Sequence, residues 1–316
     1  AIALLVLFLG RWIFAITNGY FASFVQRDSS VEQAAVNMTG LTFSEDEQTL
    51  LTPLQIEWDL FEASRLCDEV TVTASDGALL HGYLYNEYSD VTLVVLPRFN
   101  LDGTADFLPG PRLNELTGCN LLMIDPRAHG ASGGEYFGFG FLEQYDLECW
   151  LTWANETLGK QSFILWGEGS GANTILFAAV NGLLSDQTVL AVAESPYPSL
   201  HEIAFTNIWK WYQLPAVPFL YPIEWKLALS DAGYRVEDTD LISAMNGSQS
   251  NLPVIFLQSA DDDYIIPEWT QAVYDSYPGP KELVSGGAGH GTVYAECQEK
   301  IDGLLTSMPR SLEEGE

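Results

Sequence analysis

Basic side chains are scarce in this sequence of 316 residues. It carries 13 lysines and arginines against 43 aspartates and glutamates, which gives a formal net charge of −30 at pH 7. A surface of this sign repels phosphate, so the composition argues against nucleic acids and anionic lipid headgroups as partners. Beyond that it favours solubility and does not specify a mechanism.

Cysteine is also rare, and internal repeats and low-complexity tracts are absent. The four cysteines are too few for a disulfide framework, and their spacing is not typical of a metal site: Cys67, Cys119, Cys149 and Cys297. The sequence therefore indicates neither a metal nor a cofactor. What remains is a chain that is 47% hydrophobic, long enough for one α/β domain with an insertion or for two domains.

The longest apolar stretch lies at the beginning of the sequence. Residues 1–25 are mostly apolar and long enough to cross a bilayer as a helix, although Arg11 in mid-segment costs about 3 kcal/mol on insertion scales. We interpret them as a membrane anchor or signal-like helix, the alternative being a hydrophobic helix docked on the domain. Residues 26–65 are then a tether with an N-terminal helical segment. The acidic domain is expected at the cell membrane, facing outside the cytoplasm, or secreted.

Strand and helix patterns alternate from about residue 69 onward. Glu69–Ala74 and Leu79–Tyr85 flank a Ser-Asp-Gly turn and predict an antiparallel hairpin. Short apolar, β-branched runs typical of buried parallel strands follow, separated by amphipathic segments. This order predicts an α/β fold with a mostly parallel, doubly wound sheet of about eight strands and ligands at their carboxyl ends. The runs are Val91–Leu96, Asn120–Ile124, Ser162–Trp166, Thr188–Ala193, Pro253–Gln258 and Lys281–Ser285.

The segment FILWGEGSGANTI, residues 163–175, joins a predicted strand to a predicted helix through several glycines. This pattern is typical of a nucleophile elbow, in which glycines two residues before and after the nucleophile let the backbone turn sharply. Gly167 and Gly171 place the nucleophile at position 169, and that residue is Gly169. Ser170 carries the one hydroxyl inside the turn and is a candidate surrogate nucleophile, although its own flanking positions are not glycines.

An acid and a histidine follow later in the chain. Two predicted strands are followed by SADDDYIIP and by GGAGHGTVY. Asp263 stands four residues before Pro267 in a D-x-x-I-P pattern, and we interpret it as the carboxylate that orients His290. The two aspartates before it are interpreted as solvated. The chemistry needs the imidazole to accept a proton from the nucleophile, and a buried carboxylate to stabilise the imidazolium.

Several linked motifs between residues 66 and 305 resemble those of the α/β-hydrolase superfamily. The resemblance is strongest to bacterial, N-terminally anchored serine hydrolases of esterase and peptidase-like type, which order nucleophile, acid and histidine in the same way. It implies that Arg127 and His129 brace the loop beside the active site. The motifs are SDGALLHGYLY (75–85), DPRAHGASGGEYFGFGFLEQYD (125–146), WGEGSGAN (166–173), AGYRVEDTD (232–240), DYIIP (263–267) and GAGHG (287–291).

The sequence departs from this family at two cooperating places. Relatives carry serine at the position of Gly169, and a His-Gly pair after the third strand where this chain has Pro97 and Arg98. The family's oxyanion hole is built from backbone N–H groups, which by resemblance fall on Ser170, Arg98 and Phe99. Proline removes an N–H donor, and arginine adds bulk where glycine allows close approach. The two changes together indicate a relaxed or redirected function.

Residues 196–250 separate the two parts of the predicted hydrolase core, 66–195 and 251–310, and are interpreted as a cap. Aromatic residues and prolines are concentrated between positions 205 and 225. An aromatic lining suits an acyl or aryl substrate, whereas the alternative is that the rings seal the cap onto the sheet or rest against a membrane surface. The candidate substrate-binding residues are Trp209, Trp211, Tyr212 and Phe219.

The residues support three functional hypotheses. The first is a hydrolase of ester or amide bonds in a small apolar acyl or peptide-like substrate, with activity weakened or lost through Gly169. The second is a catalytically inactive pseudohydrolase that binds a ligand or a partner protein. In the third, His290 and its carboxylate activate water or a substrate hydroxyl. The retained acid and histidine favour some retained catalytic activity. Loss of one oxyanion donor, in contrast, lowers the rate of acyl transfer by about 10²–10³-fold. The oligomeric state is left open by the sequence.

Overall fold

The computed structural model describes residues 2–27, 44–99, 101, 103, 107–213 and 217–313. Most of the predicted tether, residues 28–43, lies outside the described residues. The helices and strands are, in chain order, α1 (Ile2–Phe24), α2 (Glu45–Ser64), β1 (Asp68–Thr73), β2 (Leu79–Tyr85), β3 (Val91–Leu96), α3 (Gly110–Thr117), β4 (Asn120–Ile124), α4 (Glu143–Leu158), β5 (Ser162–Glu168), α5 (Ser170–Val180), β6 (Thr188–Glu194), α6 (Leu200–Tyr212), α7 (Val217–Leu229), a 3₁₀ turn (Val236–Thr239), α8 (Leu241–Met245), β7 (Val254–Ser259), α9 (Pro267–Ser276), β8 (Lys281–Gly286) and α10 (Val293–Glu313).

The strands form one eight-stranded sheet in the order β1-β2-β4-β3-β5-β6-β7-β8. Strands β1 and β2 pair antiparallel, as do β2 and β4, and the remaining neighbours are parallel. The predicted mostly parallel, doubly wound α/β sheet is thereby confirmed. Strands β4 and β5 lie on opposite sides of β3, so the strand order reverses there. A crevice for ligands is expected outside the carboxyl ends of strands at such a point.

Side chains of the central strands alternate between the two faces of the sheet. In β5, Phe163 and Leu165 pack in the cluster covered by α4 and α5. Ile164 and Trp166 pack in a second cluster with residues of α2, α3 and α10. Burial on both faces explains why these central strands are continuous apolar runs in the sequence.

Helix α2 covers part of the second face. Ser44 caps its beginning, where its hydroxyl accepts from the backbone N–H of Glu47 (3.3 Å) and its own N–H donates to that carboxylate (2.6 Å). The buried residues of α2 recur at helical spacing: Leu51, Leu54, Trp58 and Phe61. Glu47 also accepts a hydrogen bond of 2.9 Å from the backbone N–H of Gly289. The beginning of α2 is therefore tied to the loop that carries His290.

Helix α1 packs against α7, which lies in the segment that the sequence predicts as a cap. The ring of Trp12 meets the ring of Phe219 edge-on at a centroid distance of 5.8 Å. Lys226 donates to the side-chain oxygen of Asn18 at 2.6 Å. None of the helices in the described part of the chain has both the length and the apolarity that crossing a membrane requires. The anchor and the localisation inferred from this segment stay predictions.

Candidate active site

Strand β5 passes into helix α5 through a single residue, Gly169, with φ 55° and ψ −111°. The neighbouring glycines make this turn sterically feasible. A Cβ added to Gly167 would lie 2.4 Å from the carbonyl carbon of Gly171, and one added to Gly171 would lie 2.0 Å from the carbonyl oxygen of Leu96. Only glycine fits at these two positions, so the turn is centred on residue 169, as the sequence pattern predicts.

Position 169 itself has room for a side chain. A Cβ added there would meet a single neighbour, the Cβ of Arg98 at 3.4 Å, which is ordinary van der Waals contact. The positive φ would strain any other residue, and such strain is a feature of nucleophile elbows. The structure thus contains the turn that presents a nucleophile but no oxygen at its tip.

The carboxylate that orients His290 is Asp262, and the prediction of Asp263 for this role is wrong. His290 Nδ1 lies 2.5 Å from Asp262 Oδ2, and both side chains are buried. The backbone N–H groups of Tyr264 and Ile265 each donate to the other oxygen of Asp262 at 2.9 Å. The chain turns around Asp262 and directs it inward, which leaves the side chain of Asp263 87% exposed in an ion pair with Lys210.

The second imidazole nitrogen faces the elbow. His290 Nε2 is buried and has no hydrogen-bond partner among the described residues, and Glu168 Oε1 lies 3.7 Å away. The hydroxyl of Ser170 is likewise buried without a partner in the described part of the chain, so no hydrogen bond joins it to His290. The predicted role of Ser170 as a surrogate nucleophile stays a prediction. Both residues line a cavity of about 20 Å³ with Gly169, which we name the elbow cavity.

Solved structures of other proteins share the fold of this chain. The esterase Pf2001 of Pyrococcus furiosus is 21% identical, with a TM-score of 0.63 over 80% of this chain and 96% of that one. An α/β-hydrolase of Penicillium sp. sh18, GrgF, is 19% identical, with a TM-score of 0.57 over 78% of this chain and 98% of that one. This chain has the α/β-hydrolase fold.

Comparison of amino-acid sequences finds fewer similarities than comparison of structures does. No family model matches this chain. The uncharacterized protein YqkD of Bacillus subtilis (strain 168) is 32% identical over 167 residues, which are 52% of this chain and 53% of YqkD. The match therefore spans about half the length of that relative.

In an α/β-hydrolase fold, the loop after β3 borders the elbow, and here it carries the predicted oxyanion residues. Arg98 and Phe99 line the elbow cavity together with Ser170. The guanidinium of Arg98 forms an ion pair with the carboxylate of Glu168. Phe99 stacks on Phe139 at a centroid distance of 5.9 Å. The structure brings the three predicted oxyanion residues together, but it fills the space beside them with an ion pair and packed rings.

Of the predicted substrate-binding aromatics, Trp209 and Phe219 do not line the elbow cavity. Trp209 is 61% exposed, and Phe219 is buried against helix α1. The side chains of Trp211 and Tyr212 lie outside the described residues. The cap side of the cavity is lined by Tyr197 and Ile203 instead. Phe219 packs against α1 in a cluster that contains no strand residue, so the alternative given in the sequence analysis, that the ring seals the cap onto the sheet, does not describe its packing.

The DPRAHG motif acts as a brace in this α/β-hydrolase fold. Two guanidinium nitrogens of Arg127 donate to the two oxygens of Asp146 at 2.7 and 2.6 Å, and a third donates to Asp76 at 2.9 Å. Burial opposes the charge of Arg127, but the hydrogen bonds and charge of Asp146 outweigh it and raise the pKa of Arg127. The imidazole of His129 contacts the carbonyl oxygen of Arg127 at 3.0 Å. These contacts give Arg127 and His129 the structural roles that the family resemblance implies.

Sequence reasoning missed a buried carboxyl group at the end of β6. Glu194 pairs in register with Glu168 across the parallel strands β5 and β6, so the two side chains lie side by side on one face of the sheet. Burial, followed by the charge of Glu168, raises the pKa of Glu194 to about 8, and Arg98 opposes the rise. No motif marks this residue, because its partner on β5 is 26 positions away.

The raised pKa of Glu194 predicts a dependence of stability on pH. Between about pH 4.5 and 8 the unfolded chain releases a proton from Glu194 that the folded protein keeps, so the free energy of unfolding falls as pH rises. One such group contributes at most about 1.4 kcal/mol per pH unit. We expect Glu194→Gln to gain stability relative to wild type from pH 5 to pH 8, measured by urea unfolding.

The exposed Glu57 on α2 provides the matched control, because Glu57→Gln makes the same replacement at a solvated position. The difference in the free energy of unfolding between Glu57→Gln and wild type should not change with pH over the same range. A stability difference between Glu194→Gln and wild type that does not change with pH would contradict the prediction.

Proposed function

We propose that this protein is a slow hydrolase of ester or amide bonds in a small apolar acyl substrate, in which His290 and Asp262 act without an elbow serine. The observation that carries the proposal is the buried His290–Asp262 pair beside Gly169. The esterase Pf2001 and the hydrolase GrgF, whose folds this chain shares, support hydrolysis as the class of reaction.

The geometry supports a water-mediated route. Asp262 accepts a hydrogen bond from Nδ1 of His290, which leaves the lone pair on Nε2 available as a general base. The elbow cavity has a volume of about 20 Å³, and one water molecule needs about 10–15 Å³. A water held there would pass one proton to Nε2 as its oxygen attacks the acyl carbon, and the imidazolium would return the proton to the leaving group. No acyl-enzyme forms, because position 169 supplies no oxygen.

A second candidate function is a pseudohydrolase that binds a ligand or a partner protein without turnover. The small volume of the elbow cavity favours it, since the space beside Gly169 does not accommodate an acyl group without movement. The ion pair of Arg98 with Glu168 closes one side of this space.

Hydrolysis of p-nitrophenyl acetate by the purified protein separates these possibilities. We expect a slow rate that falls about 10²-fold in His290→Ala, a typical contribution of a general base, and about tenfold or more in Asp262→Asn. Asp263→Asn is the matched control and should turn over like wild type, because that side chain is exposed. Ser170→Ala keeps its backbone N–H and should also retain the rate.

A fluorophosphonate probe completes the test, because it labels only an activated nucleophile. We expect no adduct. Labelling of Ser170, with loss of turnover in Ser170→Ala, would establish a covalent route and overturn the water-mediated one. A rate that is unchanged in His290→Ala would leave the pseudohydrolase as the correct function.

A further inference from the structure

A second and much larger cavity lies beneath helix α2. Its volume is about 510 Å³, within the range of small-molecule pockets of about 300–1,000 Å³. Its walls are mostly apolar and come from α2, from the strand ends and from the beginning of α10. They include Leu51, Leu54, Val95, Phe107, Trp166 and Tyr294. We name it the α2 cavity.

Three charged or ionisable side chains are assembled at the strand ends that border this cavity: Arg98, Glu168 and Glu194. In β5 and β6, residues of even number pack on the face covered by α2, as Trp166 and Val192 do. The alternation of a strand therefore directs Glu168 and Glu194 to the same face. The cavity thus lies at the carboxyl ends of the strands, where open α/β sheets bind ligands.

The three side chains comprise two carboxyl groups and only one guanidinium. Arg98 forms its ion pair with Glu168, and among the described residues Glu194 has no ion pair. Glu194 is 6% exposed, and the indole N–H of Trp166 is its hydrogen-bond donor. The charged groups that act on Glu194 are Glu168 and Asp262, which raise its pKa, and Arg98, which lowers it. Burial and these like charges keep Glu194 protonated at neutral pH.

We propose that the α2 cavity binds a small amine with an apolar body, whose ammonium group forms an ion pair with Glu194. The ammonium supplies a counter-ion for Glu194, and the apolar walls contact the body of the ligand. A carboxylate ligand would face two acidic side chains and an arginine that is already paired. The net charge of −30 also favours the approach of a cation. The proposal does not depend on the proposed hydrolysis, although Arg98 lines both cavities and Glu168 Oε1 lies 3.7 Å from His290 Nε2.

Binding has a definite proton balance. A protonated amine that pairs with neutral Glu194 displaces the carboxyl proton, which passes to the solvent while the ammonium keeps its own. At pH 7 close to one proton should therefore be released for each amine bound. A neutral alcohol of the same shape should bind without proton release.

Isothermal titration with phenethylamine, 2-phenylethanol and 3-phenylpropanoate tests the proposal on the full chain. Titrations in two buffers of different ionisation enthalpy give the number of protons released. We expect the amine to bind about tenfold or more tightly than the alcohol, which a single desolvated ion pair supplies, and to release about one proton. Glu194→Gln should lose both the preference for the amine and the proton release.

Glu57→Gln, which removes one charge from an exposed side chain of α2 that does not line the cavity, should keep both properties and thereby exclude a general effect of net charge. Equal affinity for amine and alcohol, tightest binding of 3-phenylpropanoate, or full amine binding by Glu194→Gln would each overturn the proposal. Unfolding of Glu194→Gln is monitored by circular dichroism, and His290→Ala should bind the amine like wild type, which separates this site from the hydrolytic one.

Discussion

Replacing Gly169 by serine is expected to raise the hydrolysis of p-nitrophenyl acetate about tenfold to 10²-fold above wild type. The new hydroxyl would stand at the tip of the elbow, where a Cβ has space, and would border the same cavity as His290. The rescue is partial because Pro97 and Arg98 replace the loop that completes the oxyanion hole in relatives. Steady-state rates and fluorophosphonate labelling at residue 169 measure it.

Gly169→Ala is the matched control for this gain, since it carries the same strain of about 1–3 kcal/mol at a positive φ without supplying an oxygen. It should remain at or below the wild-type rate. Adding Pro97→His with Arg98→Gly to Gly169→Ser should raise the rate further. If Gly169→Ser and Gly169→Ala hydrolyse the ester equally, the turn does not present a nucleophile to His290, and our account of the elbow is wrong.

Replacing Arg127 by methionine is expected to lower the free energy of unfolding by about 3–5 kcal/mol. The change removes both hydrogen bonds to Asp146, whose side chain is 5% exposed, and leaves that carboxylate buried without its counter-ion. Loss of the ion pair with Asp76 contributes little to this difference, because that side chain is exposed and water can replace the guanidinium. Urea unfolding of the purified proteins measures the difference.

Arg65→Met is the matched control. Arg65 pairs with Glu87 at 2.7 Å, but both side chains are 34% exposed, and an ion pair of this kind contributes about 0–1 kcal/mol. Loss of stability in Arg127→Met that is no larger than in Arg65→Met would show that the Arg127–Asp146 pair is not the brace of this loop. A double variant with Asp146→Asn should recover part of the loss, because no buried charge then remains unpaired.

The amino-acid sequence by itself determined the sheet and the centre of the elbow. All eight predicted strands begin within one residue of the observed ones, because each is an apolar or alternating run bounded by turn residues. Leu79–Tyr85, Val91–Leu96 and Asn120–Ile124 agree at both ends. Gly167 and Gly171 fixed the register of the elbow for an equally local reason. A Cβ at either position collides with backbone atoms, so the glycines are required by the turn itself.

Only the tertiary structure decided which side chains meet at the strand ends. Asp262 and Asp263 are neighbours of the same type, and the hydrogen bonds of one turn decide which of them is buried beside His290. Phe219 contacts Trp12 because α1 and α7, which are some 200 residues apart in the sequence, pack against each other. Glu168 and Glu194 lie side by side because β5 pairs with β6. Local pattern specifies strands and turns, whereas burial, and with it the charge state of a carboxyl group, depends on packing between distant segments.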